Sequence, residues 1–204
     1  MNKHSLRDIK REATANGLAD AAFALAMEKG LDGFVVEDVV QRAGYSRRTF
    51  ANYYSCKEEA VAMAAVIFKG ADEVEDWIGS LNEDMTPLDI LYQLMKLQLT
   101  GEHFWKLRQL VTLSKHHKAL EPYILSALRS LQITAQDVLS DLSRRRYPEG
   151  YTHLLVGAVY GAVLPLLDGS LNVLLPGESA SEAPGAITFD HYLDTMFEYL
   201  RKGF

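Results

Sequence analysis

Val36, Val39, Val40 and Ala43 fall at a 3-1-3 spacing, which puts all four on one face of a helix about two turns long. Gly44 follows at once and supplies a tight turn. Ser46 is a suitable N-cap for a second short helix, Arg47 to Tyr53, whose Phe50 and Tyr54 stand four residues apart and face inward. Two short amphipathic helices joined by a glycine turn form a helix-turn-helix, and the second of them can lie in a DNA major groove. A longer helix precedes the unit, from about Leu6 to Lys29. Its stripe is Leu18, Ala21, Ala22, Leu25 and Ala26, and Gly30 ends it.

The helical period continues along the chain, with no convincing run of alternating β-branched residues. Ser55-Cys56-Lys57-Glu58 fits a capping box with serine at the cap, opening a helix predicted to run to about Leu81. Asn82 to Thr86 reads as a loop. Further helices are predicted near 87–99, 102–116, 121–146, 149–167 and 189–202, with Gly101, Pro122 and Pro148 at the joints. Residues 169–188 are rich in Pro, Gly, Ser and Ala and read as a mobile loop. The expected fold is all-α: an N-terminal three-helix helix-turn-helix domain over 1–54, and a helical body over 55–204.

Charge sharpens this. The chain carries a net charge of −6, which looks wrong for a nucleic-acid binder until it is counted by segment. Residues 1–60 are balanced, with 9 bases and 9 acids, so the excess acid lies in the body. From Arg42 to Lys57 there are four bases (Arg42, Arg47, Arg48 and Lys57) and no acid. An acidic body with one basic tip suits a protein that touches phosphates through a small surface. A single cysteine, Cys56, excludes an internal disulfide and suits a reducing compartment. The apolar run Leu154 to Leu167 is too short for a bilayer and contains Pro165, and the N-terminus lacks a signal sequence. A cytoplasmic location without membrane contact is expected.

On the second helix of the unit, Arg47, Arg48, Ala51 and Asn52 should point outward, with Tyr53 at the flank. Arginine can bond bidentately to guanine and asparagine to adenine. The hydroxyls of Thr49 and Tyr53 suit phosphate oxygens, and Lys57 stands where the next helix begins, ready for another phosphate. Double-stranded DNA is therefore the expected partner.

At this point the sequence resembles the tetracycline-repressor family. The resemblance rests on Ala21-Ala22, Leu25, Gly30, Val39-Val40, Arg42-Ala43-Gly44, Ser46, Thr49-Phe50, Tyr53-Tyr54 and Lys57-Glu58. It departs from the family pattern at Val35, where a threonine is usual, at Ala26 (phenylalanine) and at Cys56 (serine). The resemblance implies a repressor that leaves a palindromic operator on binding a small-molecule effector. It also implies a homodimer built from the last two helices. Gly157 and Gly161, with Ala158 and Ala162 beside them, allow close helix approach there, and Tyr192 and Met196 would lie on the other interface helix; packing within one subunit is the alternative.

The aromatic residues of the body read individually as core. Together they could line an effector cavity, with Trp105 the leading lining residue and Met95 and Gln132 further candidates; His103 is a second possible polar anchor. The long helix from Ser55 would carry the signal by tilting. His103, His116 and His117 lack metal-ligand spacing, and no nucleophile–base pair or phosphate loop appears, so neither a metal, a cofactor nor catalysis is expected. Cys56 reads as a capping-region residue or as a redox switch. A constitutive DNA-binding architectural or partner-recruiting protein without sensing remains the alternative function.

Overall fold

The computed structural model describes residues 6–67, 77–81, 84–142, 146–179 and 184–203. Its helices are α1 (Leu6–Lys29), α2 (Val36–Ala43), α3 (Arg47–Ala51), α4 (Lys57–Met63), α5 (Pro87–Gln98), α6 (Gly101–His116), α7 (Glu121–Leu142), α8 (Glu149–Asp168) and α9 (Phe189–Lys202). Short 3-10 turns occupy Leu31–Gly33 and Lys118–Leu120. The chain forms two compact units: Met1–Ile67 with Gln109–Leu128, and Phe68–Arg108 with Arg129–Phe204.

In the first unit α1 packs against α2 and α4. Leu18, Ala22 and Leu25 are buried together with Val39, Phe50, Ala60 and Val61, so the 3-1-3 stripes are the core faces. Gly44 adopts a left-handed conformation (φ +73°, ψ +28°) and closes α2 with its N–H on the Gln41 and Val40 carbonyls. That geometry favours glycine and sets the turn into α3. Val35 at the α2 N-cap has no side-chain acceptor to offer. Its own N–H is met instead by Asp38 Oδ2, at 2.8 Å.

Two boundaries differ from the sequence reading. α3 ends at Ala51, because Asn52 and Tyr53 turn back through i→i+3 bonds to Thr49 and Phe50. The long helix expected from Ser55 to Leu81 is not continuous: α4 ends at Met63, where Ala65 and Val66 bond to the Ala62 and Met63 carbonyls and tighten the last turn. Residues 68–76 of that expected helix lie outside the described residues, as do 82–83 of the expected loop, 143–145 of the helix expected near 121–146, and 180–183 of the loop expected over 169–188. The N-cap of α4 is Cys56, not Ser55. Its Sγ accepts from Glu59 N at 3.4 Å, and Glu59 reaches back to the N–H and Oγ of Ser55, both at 2.6 Å.

In the second unit α9 lays Phe189, Leu193, Met196 and Phe197 inward. Tyr92 of α5 meets Phe197 edge-on at 5.0 Å between centroids, and Phe104 of α6 meets Phe189 at 4.8 Å. The loop after α8, expected to be mobile, is tied down over its described residues. Val173–Leu174 and Ile187–Thr188 pair as two-residue parallel strands, Arg108 forms an ion pair with Glu178, and Glu178 accepts from Leu175 N at 2.7 Å. At Gly101 a Cβ would stand 2.4 Å from the Pro176 carbonyl oxygen, so only glycine permits this approach. Gly150–Asp168 is long and apolar enough to cross a membrane by length and composition, and a third of it is buried within the unit.

Candidate nucleic-acid interface

The recognition surface is built on α3. Ser46 caps it, accepting from Thr49 N at 3.0 Å, and its Oγ lies 2.8 Å from Thr49 Oγ1. Phe50 and Tyr54 anchor the inner side, 3% and 7% exposed, with their rings 5.8 Å apart. The Tyr54 hydroxyl donates to Ala15 O at 3.0 Å. Burial first, then Glu59 and Asp20, push that phenol up to about 12, so it stays a neutral donor. With this side fixed, Arg47, Arg48, Ala51 and Asn52 are exposed and Tyr53 is half-buried.

The four bases of the tip differ in how free they are. Arg42 Nη2 bonds both carboxylate oxygens of Glu28, each at 2.8 Å, and ties α2 to α1. Arg47 forms an ion pair with Glu37 of α2, although its side chain is 75% exposed. Among the described residues no ion pair holds Arg48. Lys57 turns inward: Nζ donates to Leu31 O at 2.6 Å and Phe34 O at 2.7 Å, and sits 4.8 Å from the Phe34 ring centroid. A shallow cleft of about 360 Å³ opens between the starts of α2, α3 and α4, lined by Val35, Val36, Glu37, Arg47, Ser55, Cys56, Lys57 and Glu58.

This corrects the expectation for Lys57. Two of its three N–H donors are spent on the backbone joining α1 to α2, where unpaired buried carbonyls would be costly. Thr49 is likewise engaged at the α3 cap. Pairs ten and fourteen residues apart across a turn obey no spacing rule, so the sequence does not announce Glu37 and Glu28 as partners.

The effector-site expectation for Trp105 is also corrected. Phe104, Lys106, Leu107 and Leu110 form the buried side of α6 with His103, and Trp105, about 100° further round, is 51% exposed. Met95 is buried in α5, and Gln132 accepts from Arg129 at 3.2 Å. On the expected interface helices, Gly161 is exposed and Gly157 half-buried. Met196 is buried within its own unit, because α9 turns that side toward the core. Tyr192 is half-buried and donates to Ala162 O at 2.7 Å.

A short helix, a left-handed glycine turn and a capped second helix with exposed arginines define a helix-turn-helix DNA-binding protein. Residues 18–62 match the family model described as bacterial regulatory proteins, tetR family. The match covers the helix-turn-helix unit and the helices that flank it, so this part of the chain is similar to the N-terminal domain of that family. The fold of the chain is similar to that of a protein from Mesorhizobium loti MAFF303099 assigned to the TetR-family transcriptional regulators. The TM-score is 0.51 at 16% identity, over 94% of this chain and 96% of that one. A transcriptional regulator from Rhodococcus sp. Rha1 superimposes with a TM-score of 0.49 at 23% identity, over 93% and 96%. Comparison with curated proteins finds no significant match.

Proposed function

We propose that the protein is a cytoplasmic transcriptional repressor that binds a palindromic operator as a homodimer and is released from it by a small-molecule effector. The observation that carries the DNA-binding part is the exposed face of α3. Arg47, Arg48 and Asn52 stand outward there, with no acid in the sequence from Val39 to Ser55. Arg48 is the side chain freest to bond a guanine edge, and Asn52 suits adenine.

Dimerisation is supported by α8. Tyr151, Leu154, Ala158, Gly161 and Leu164 recur at helical spacing and are exposed, Leu154 at 72%. A Cβ at Gly161 would meet nothing within this chain, yet glycine inside a helix costs roughly 0.5–1 kcal/mol relative to alanine. A second subunit approaching this face would account for the small residue, and twofold symmetry then implies a palindromic site.

The exposure of Trp105 favours a second reading, constitutive DNA binding without an effector. Selection of duplexes from a random-sequence library tests the first claim: an inverted repeat should be enriched, and no enrichment would refute DNA reading. Titrating the selected complex with compounds that raise the melting temperature then separates the two readings. Release of DNA by such a compound supports sensing, and binding that leaves the complex intact supports the constitutive protein.

A further inference from the structure

The two adjacent arginines of α3 are not equivalent. Arg48 is exposed, whereas Arg47 donates to Glu37, both of them exposed and facing the cleft between the starts of α2, α3 and α4. Glu37 lies in the first turn of α2, where the helix N-terminus favours a carboxylate whether or not Arg47 is present. The carboxylate therefore keeps a favourable place at the start of α2 when the guanidinium leaves. The other cation of the cleft, Lys57, is held by the Leu31 and Phe34 carbonyls.

Binding to arbitrary DNA is driven by free cations that displace counterions from phosphates, and each such cation adds about 0.9 to the salt slope. An arginine already neutralised by a carboxylate contributes little to that drive, because moving it to a phosphate exchanges one anion for another and leaves Glu37 unpaired beside the backbone. The same arginine keeps its planar fork of donors. A guanine edge offers two acceptors in the matching geometry, worth about 1–3 kcal/mol of discrimination against a wrong base.

We propose that Glu37 is a specificity-determining residue: it holds Arg47 on the protein until a cognate base takes its place, and so suppresses binding to non-cognate DNA. This rests on the DNA-binding reading above and assigns to α2, the helix that does not read bases, a share in discrimination.

The test compares wild type, Glu37→Gln, Arg47→Ala and the double variant on a library-selected duplex and on a random-sequence duplex, at several salt concentrations. Glu37→Gln should bind the random duplex about two- to fivefold more tightly near 0.1 M salt, with a slope steeper by up to about one. Its affinity for the selected duplex should rise less, so the specificity ratio falls. In the Arg47→Ala background Glu37→Gln should leave the ratio unchanged. A ratio equal to wild type in the single variant, or the same fall without Arg47, overturns the proposal, the latter by showing direct repulsion of phosphates. Library selection that returns no preferred sequence for wild type refutes the DNA-binding reading itself, and the role of Glu37 with it.

Discussion

His103 should make stability depend on pH over a defined window. The side chain lies on the buried side of α6, 6% exposed, and its imidazole is pushed down from 6.5 to about 4. Burial is the main cause and the Lys106 ammonium adds to it, against a smaller opposing pull from Glu102. In the unfolded chain a histidine takes up its proton near pH 6.5. Between that pH and about 4 the unfolded state binds a proton that the folded state refuses. Stability is therefore fully present above pH 6.5, falls by about 1.4 kcal/mol per unit as the pH drops, and has lost about 3 kcal/mol near pH 4. Below the folded value this residue adds no further loss. Urea unfolding of wild type and His103→Gln at pH 7.5, 6.5, 5.5 and 4.5 isolates the effect. The glutamine variant starts less stable at pH 7.5 but should lose about 2.5 kcal/mol less than wild type by pH 4.5. Parallel pH profiles for the two proteins, or a His103 ring proton titrating near 6.5 in the folded state, would refute the argument.

Other outcomes follow from single contacts. Arg48→Ala should weaken binding to a selected duplex by about 1–3 kcal/mol and relax preference at one base position, measured by fluorescence anisotropy on single-base variants. Lys57→Met removes two hydrogen bonds from an ammonium to backbone carbonyls and should lower stability by about 2–4 kcal/mol in urea titrations, with little change in the salt slope of DNA binding. Leu154→Glu places a charge on the exposed face of α8 and should convert the proposed dimer to folded monomer in sedimentation, with the helical circular dichroism retained. Gly101→Ala drives a methyl against the Pro176 carbonyl and should cost about 1–3 kcal/mol of stability, seen as a lowered melting temperature.

The sequence carried the ends of α1, α2, α5, α6, α8 and α9 well, because glycine, proline and capping residues mark them locally. The inner side of α3 was equally legible, since Phe50 and Tyr54 at i and i+4 must share a face. Failures came where a distant group decided. The end of α4 at Met63 has no glycine or proline to announce it, and Ala62 to Ala65 are good helix formers. Lys57 reads as a phosphate ligand until the Leu31 and Phe34 carbonyls are seen beneath it. Trp105 reads as a cavity-lining residue because it is the large aromatic nearest the centre of the helical body. The helix phase instead gives the buried side to Phe104 and Leu107 and places His103 and Lys106 there too. Met196 is buried within its own unit, while Tyr192 is half-buried and donates to Ala162 O.

The inward lysine divides the reading head into what can be rewritten and what cannot. Arg48, Ala51 and Asn52 present side chains that the fold does not use, so a library varied at these three positions can explore new operators without first spoiling the domain. Lys57, although the sequence places it among the DNA contacts, staples the connection between α1 and α2 to the start of α4. A library that randomises it would discard most members through misfolding, and those losses would be misread as failed recognition.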